Sequence, residues 1–145
     1  MNVLLSGGAG YIGSHAGLSL LDSGHSVHII DDLSTGNESL IPKNAFFTKC
    51  NINDEEVISE LIKSNSFDLL MHFAGFIQVE ESVKYPQKYF DNNTENATKL
   101  FETCKNNGLN KIVFSSTAAA YGSANENKLI DENTKIGRAS CRERV

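Results

Sequence analysis

Val3-Leu4-Leu5-Ser6-Gly7-Gly8-Ala9-Gly10-Tyr11-Ile12-Gly13 sits two residues into the chain and decides the fold. Val3–Ser6 is a short apolar run that enters a glycine cluster, the pattern of a buried strand. Behind the cluster, Ile12, Ala16, Leu18, Leu20 and Leu21 supply a helical stripe, and Gly24 stands at its C-terminal stop. Gly7, Gly10 and Gly13 therefore form a Gly-x-x-Gly-x-x-Gly turn between a strand and a helix. Glycines there let the chain turn tightly and let its backbone approach a pyrophosphate. The helix start then offers unpaired N–H groups and a positive dipole end to the phosphates.

The same alternation continues outward. Val27–Ile30 reads as a second strand ending at Asp31-Asp32, and a polar loop from Ser34 to Lys43 leads to a third at Ala45–Thr48. Asn53 is the expected cap of a helix with acids in its first turn (Asp54, Glu55, Glu56) and an apolar face of Val57, Ile58, Leu61 and Ile62. Leu69–Phe73 is a fourth strand. A long helix is expected from Gln87 to Asn107, with Tyr89, Phe90, Ala97, Leu100, Phe101 and Cys104 on one side and Gly108 at its end. Ile112–Ser115 is the fifth strand. Apolar strands alternating with helices indicate a parallel sheet covered on both faces. Right-handed crossovers reduce this to an α/β, Rossmann-type doubly wound parallel sheet in the order 3-2-1-4-5.

A glycine turn alone is weak, because any tight strand–helix junction favours glycine. Asp31 strengthens it. Eighteen residues past Gly13 and at the end of the second strand, its carboxylate can accept both hydroxyls of an adenosine ribose and repel a 2′-phosphate. Dinucleotide binding, with NAD preferred to NADP, is the resulting expectation.

Composition narrows the remainder. With 40% apolar and 21% charged residues over 145 positions, the chain suits a globular domain. No run approaches the roughly 18 apolar residues that span a membrane, and the start lacks a signal peptide's features, so the cytoplasm is expected. A formal charge of -5 argues against nucleic acid as a partner. Cys50, Cys104 and Cys141 suggest neither a disulfide framework nor a metal site. His15, His25, His28 and His72 show no ligand spacing.

The last ten residues break the pattern. Residues 1–135 hold ten lysines and no arginine, whereas Ile136–Val145 hold three arginines. Back-translated, this tail resembles a sequencing adapter read in one frame. It is expected to be non-native, with residues 1–135 forming the incomplete nucleotide-binding domain.

Several blocks resemble the opening of UDP-glucose 4-epimerases, in the extended short-chain dehydrogenase/reductase group. They are Ser6–His15, Asp31–Gly36, His72-Phe73-Ala74-Gly75, Glu81-Ser82-Val83, Pro86, Tyr89–Asn93 and Phe114–Gly122. The resemblance implies that Gly7, Gly10, Tyr11, Ile12 and Gly13 cradle the pyrophosphate of NAD and that Asp31 binds the adenosine ribose. It places Asn51-Ile52 beside the adenine, where the family has Asp-Ile/Leu; the Asn51 oxygen can accept a hydrogen bond but brings no charge. Phe73, Ala74 and Gly75 would run under the cofactor's ribose and phosphate, and Asn92 would lie near it too. Ser115 and Ser116 would lie close to the nicotinamide, and Thr117 would bond the sugar's 4-hydroxyl as the catalytic residue present. Without the resemblance, Ser115–Thr117 reads as a polar strand end.

Two departures matter. Ile77 stands where many relatives carry lysine. The family's Tyr-x-x-x-Lys pair is absent from the 145 residues, so the general base is missing. The implied mechanism has that tyrosinate take the 4-hydroxyl proton while C4 passes its hydride to NAD, which later returns it to the opposite face of a 4-keto sugar. The polypeptide by itself is therefore expected to be inactive. A UDP-hexose is the implied substrate and a homodimer the implied assembly of the longer enzyme. The nearest rival, a nucleotide-sugar 4,6-dehydratase, wants an acid pair where this chain has Ala118-Ala119. A reading from another class is a non-catalytic NAD-binding remnant.

Overall fold

The computed structural model describes residues 1–117, 121 and 130–134. These fall into two units, Met1–Phe114 and Ser115–Val145. In the first unit, strands β1 (Asn2–Ser6), β2 (Ser26–Asp31), β3 (Phe46–Lys49), β4 (Leu69–His72) and β5 (Ile112–Phe114) form one parallel sheet in the order β3-β2-β1-β4-β5. The expected class and strand order are both observed. Leu5 of β1 pairs with Ile29 on one side and Met71 on the other, so the middle of the sheet is apolar. Val3, Leu4, Leu5, Val27, Ile29, Ile30 and Leu70 are fully buried, as continuous apolar strands covered on both faces should be.

Each face has its own core. Helix α2 (Glu55–Ser64) and helix α5 (Ala97–Asn106) set Ile58, Ile62, Leu100 and Cys104 against Leu4, Ile30 and Leu70. Helix α1 (Tyr11–Asp22) covers Leu5, Val27 and Ile29. Its packing differs from expectation. Ile12 and Leu18 of the stripe are 61% and 49% exposed, and the residues α1 buries are Gly13, Ser14 and Gly17. The helix lies close to the sheet on small side chains, with Ala16, Leu20 and Leu21 filling the flank.

Helix boundaries hold other corrections. Asp54, and not Asn53, is the N-cap of α2, and no side chain caps it; the Asn53 amide instead donates to Asn51 Oδ1 at 3.1 Å. The long helix expected from Gln87 to Asn107 is present as one helical run from Pro86 to Asn106, but its middle is not α-helical. Helix α3 (Val79–Lys84), absent from the sequence reading, precedes Pro86, which opens α4 (Pro86–Phe90) at a position where its missing N–H costs nothing. A π-helical turn, Asp91–Asn96, then joins α4 to α5. Strand β5 ends at Phe114, so Ser115 is outside it. At the expected stops, Gly24 and Gly108 take left-handed backbone, φ +79° and +87°.

In the second unit, Asp131–Thr134 makes a turn closed by the Thr134 amide on the Asp131 carbonyl at 3.0 Å. Thr134's hydroxyl also donates to the Asp131 carboxyl and holds it below its ordinary pKa. The expected foreign tail, Ile136–Val145, lies outside the described residues, as do Ala118–Ala120 and Gly122. No helix among the described residues is long and apolar enough to cross a membrane.

Candidate dinucleotide site

The strand order reverses between β1 and β4, and the loops that leave their C-terminal ends border the crevice where doubly wound sheets bind ligands. Gly7 ends β1 with φ +76°. A Cβ there would fall 2.7 Å from the Phe73 carbonyl carbon and also strike the Ala74 backbone, so only glycine lets the two loops touch. Gly13, in the first turn of α1, lies so close to Gly7 that a Cβ would collide with the Gly7 carbonyl and sit 2.9 Å from Gly8 Cα. Gly10 is the N-cap of α1, and no side chain caps this helix. Its first amides thus have no intrahelical partner and no capping side chain. Tyr11 and Ile12, 76% and 61% exposed, stand uncovered at the same end.

Asp31 reaches this loop from the end of β2. Its Oδ2 accepts the Ala9 amide at 3.0 Å and its Oδ1 the Leu33 amide at 2.9 Å, with the residue 9% exposed. A Cβ at Gly36 would come within 2.9 Å of that Oδ1, so Gly36 keeps space beside the carboxylate. Ionised carboxylates have about four acceptor positions, which leaves capacity for a ribose diol.

Asn51 joins the site through Asp32: its amide donates to Asp32 Oδ2 at 2.7 Å while its oxygen holds the Asn53 amide. One lone pair of that oxygen is therefore already engaged. Ile52, 6% exposed, is a core residue packed with Ile30 and Ile58. Phe73 and Ala74 pack on opposite faces of the sheet, Phe73 toward the α1 side and Ala74 toward the α2–α5 side. Asn92 donates to Asn93 at 2.9 Å, and Asn93 bonds the peptide of Phe76 next to Gly75. Asn93 appears in the sequence reading only as the end of the Tyr89–Asn93 block, with no role of its own. Ser115, Ser116 and Thr117 belong to the second unit and lie in no helix or strand.

Beneath the loops, Ser6 Oγ and His72 Nδ1 share a buried hydrogen bond of 2.7 Å. Burial pushes His72 down to about 4, so the ring is neutral at physiological pH. Phe101 meets this ring edge-on at 5.2 Å and Phe114 stacks at 5.7 Å. Burial raises the thiols of Cys50 and Cys104 to about 11, which makes both unreactive core side chains. Among the described residues no group of His, Cys, Asp and Glu is placed to hold a metal.

A glycine cradle at an uncapped helix start, with a carboxylate at the end of the neighbouring strand, defines a dinucleotide-binding domain of the doubly wound type. The chain belongs to the NAD dependent epimerase/dehydratase family, whose pattern matches residues 3–142. It is 44% identical over 122 residues to the UDP-glucose 4-epimerase of Lacticaseibacillus casei, a match covering 84% of this chain and 37% of that protein. Two UDP-glucose 4-epimerase crystal structures align closely. That from Stenotrophomonas maltophila, with bound NAD and formylated UDP-arabinopyranose, gives a TM-score of 0.81 at 35% identity, covering 89% of this chain and 40% of its own. The Thermus thermophilus enzyme in complex with NAD also gives 0.81, at 33% identity, covering 94% and 44%. The chain thus spans a little over a third of the relatives' length.

Proposed function

We propose that this chain is the NAD-binding part of a UDP-glucose 4-epimerase. The observation that carries the reading is the contact between Gly7 and Gly13, each lacking space for a Cβ, at the uncapped start of α1. The first amides of α1 bind the pyrophosphate and need no side chain to do it. Asp31 accepts the adenosine ribose hydroxyls and disfavours a 2′-phosphate by charge. The Asn51 oxygen takes the adenine edge with its remaining lone pair, beside Ile52. Phe73–Gly75 and Asn92 support the other half of the dinucleotide, with Ser115 and Ser116 near its reactive ring.

When bound, NAD supplies a reversible hydride acceptor for the sugar's C4. Thr117 orients the 4-hydroxyl through its own hydroxyl but is too weak a base to remove the proton. That proton requires the Tyr-x-x-x-Lys pair, which these 145 residues do not contain. A UDP-hexose substrate, a homodimer of the longer enzyme and a cytoplasmic location complete the proposal. Ile136–Val145 is read as non-native on its arginine content.

Titrating the chain with NAD and with NADP tests the cofactor half of the proposal: NAD should bind and NADP should bind more weakly. Equal binding of both would remove Asp31 from its role. Assaying UDP-glucose/UDP-galactose interconversion in a gene product that carries the Tyr-x-x-x-Lys pair tests the rest.

A further inference from the structure

Asn93 lies in the π-helical turn, and both ends of its amide hold the backbone of one residue, Phe76. Its oxygen accepts the Phe76 N–H at 2.8 Å, and its nitrogen donates to the Phe76 carbonyl at 2.9 Å. The side chain thereby pairs with Phe76 much as one residue of a strand pairs with the residue opposite. The same oxygen accepts the Asn92 amide at 2.9 Å. Among the described residues no other side chain bonds the backbone of residues 74–77, so this connection between β4 and α3 relies on Asn93. The Phe76 ring is held as well. The Lys88 ammonium sits 4.7 Å over it and the Tyr89 ring lies 5.6 Å away, and Glu81 anchors both residues with bonds of 2.8 Å.

The loop is therefore fixed at two points. Its start is bound by the Phe73 amide on the Ser6 carbonyl at 2.8 Å, with Gly7 against Phe73 and Ala74. Its tip is bound by Asn93, and Gly75 lies between, where a Cβ would be 3.6 Å from Asn93 Oδ1. Across the sheet the order runs β2, β1, β4. An adenosine held at the end of β2 and a pyrophosphate at the start of α1 leave the region over β4 for the other half of a dinucleotide. We propose that Asn93 is the positioning residue that sets Phe73–Gly75 for the nicotinamide-bearing half. This rests on the NAD-binding reading above.

The test compares NAD with 5′-AMP on the 145-residue chain and on two variants. Asn93→Asp keeps the shape but turns an oxygen toward the Phe76 carbonyl, whereas Asn93→Ala removes the bonds without adding charge. Both should weaken NAD by about tenfold or more, the scale of one lost hydrogen bond, and leave 5′-AMP within about twofold. Hydrogen exchange at the Phe76 amide should accelerate in Asn93→Ala. A role in folding alone would weaken both ligands in proportion. That result, or unchanged NAD affinity in both variants, overturns the proposal. If the unmodified chain binds neither NAD nor 5′-AMP, the NAD-binding reading itself fails and takes this inference with it.

Discussion

The carboxylate of Asp31 accepts the backbone amide of Ala9 at 3.0 Å and so ties the end of β2 to the middle of the glycine loop. One side chain thus holds the shape of the loop through two amides, and the proposed function gives the same carboxylate the selection of the ligand. Replacing Asp31 by Ala should therefore have two effects. The Ala9 and Leu33 amides lose their acceptor, at a cost of about 1–3 kcal/mol in urea unfolding. NAD affinity should fall while the preference over NADP relaxes. A variant that loses stability but keeps the preference would assign selection elsewhere.

Glycine at position 7 is required by its neighbours and by its backbone. Gly7→Ala should cost about 2 kcal/mol or more, since a left-handed backbone and a contact with Phe73 and Ala74 are both violated. Gly24, also left-handed but with open space around a Cβ, should tolerate Ala better. Thermal midpoints of the two variants make the comparison.

Acid should weaken the fold through His72. Its folded pKa of about 4 lies below the ordinary 6.5, so the unfolded chain binds the proton more readily. Stability from this residue is full above about pH 6.5 and is lost as pH falls toward 4. The whole effect is about 3 kcal/mol at most, from 1.36 kcal/mol per pH unit. Urea titrations between pH 4 and 7 should show the slope, and it should flatten in His72→Gln.

No turnover of UDP-glucose is expected from the 145 residues, because they contain no Tyr-x-x-x-Lys pair. In a product that includes Tyr-x-x-x-Lys, Thr117→Val should lower the rate by roughly 10²–10³, the scale of losing one oriented hydrogen bond in the transition state. Interconversion by the short chain would refute the assigned chemistry.

Among the described residues strand β5 is an edge, and Ile112, Val113 and Phe114 are 38%, 46% and 56% exposed. An uncharged apolar edge is a template for other chains. At about 25 cal/mol per Å², covering roughly 200 Å² contributes some 5 kcal/mol, enough to drive association. Light scattering should show mass rising with concentration, and Val113→Lys should reduce it. A monomer at all concentrations would show that the edge is adequately protected.

Much of this architecture could be read from residue order. Continuous apolar strands, glycines at their ends and left-handed stops at Gly24 and Gly108 each impose one local geometry, and together they specify the sheet. Hydrophobic periodicity found Ala16, Leu20 and Leu21 of α1 but missed its closest contact with the sheet, because Gly13, Ser14 and Gly17 carry no apolar signal. At Asp91–Asn96 it gave the helix but not its π-helical geometry, which left no mark in the apolar spacing. The site divided the same way. Asp31 and the glycines announce themselves by spacing, whereas the bond from Asn51 to Asp32 and the grip of Asn93 on Phe76 join residues nineteen and seventeen positions apart.

The π-helical turn makes this chain sensitive to length in a way that substitutions would not reveal. Such a turn holds about one residue more than an α-helix would over the same span, and each residue turns a helix by about 100°. Deleting Thr94 would leave every remaining side chain intact and a better-formed helix. It would also rotate Asn92 and Asn93 away from Phe76, or else swing Leu100 and Cys104 out of the core. One surplus residue thus keeps two faces of a single rod in phase, one for the loop at Phe76 and one for the sheet.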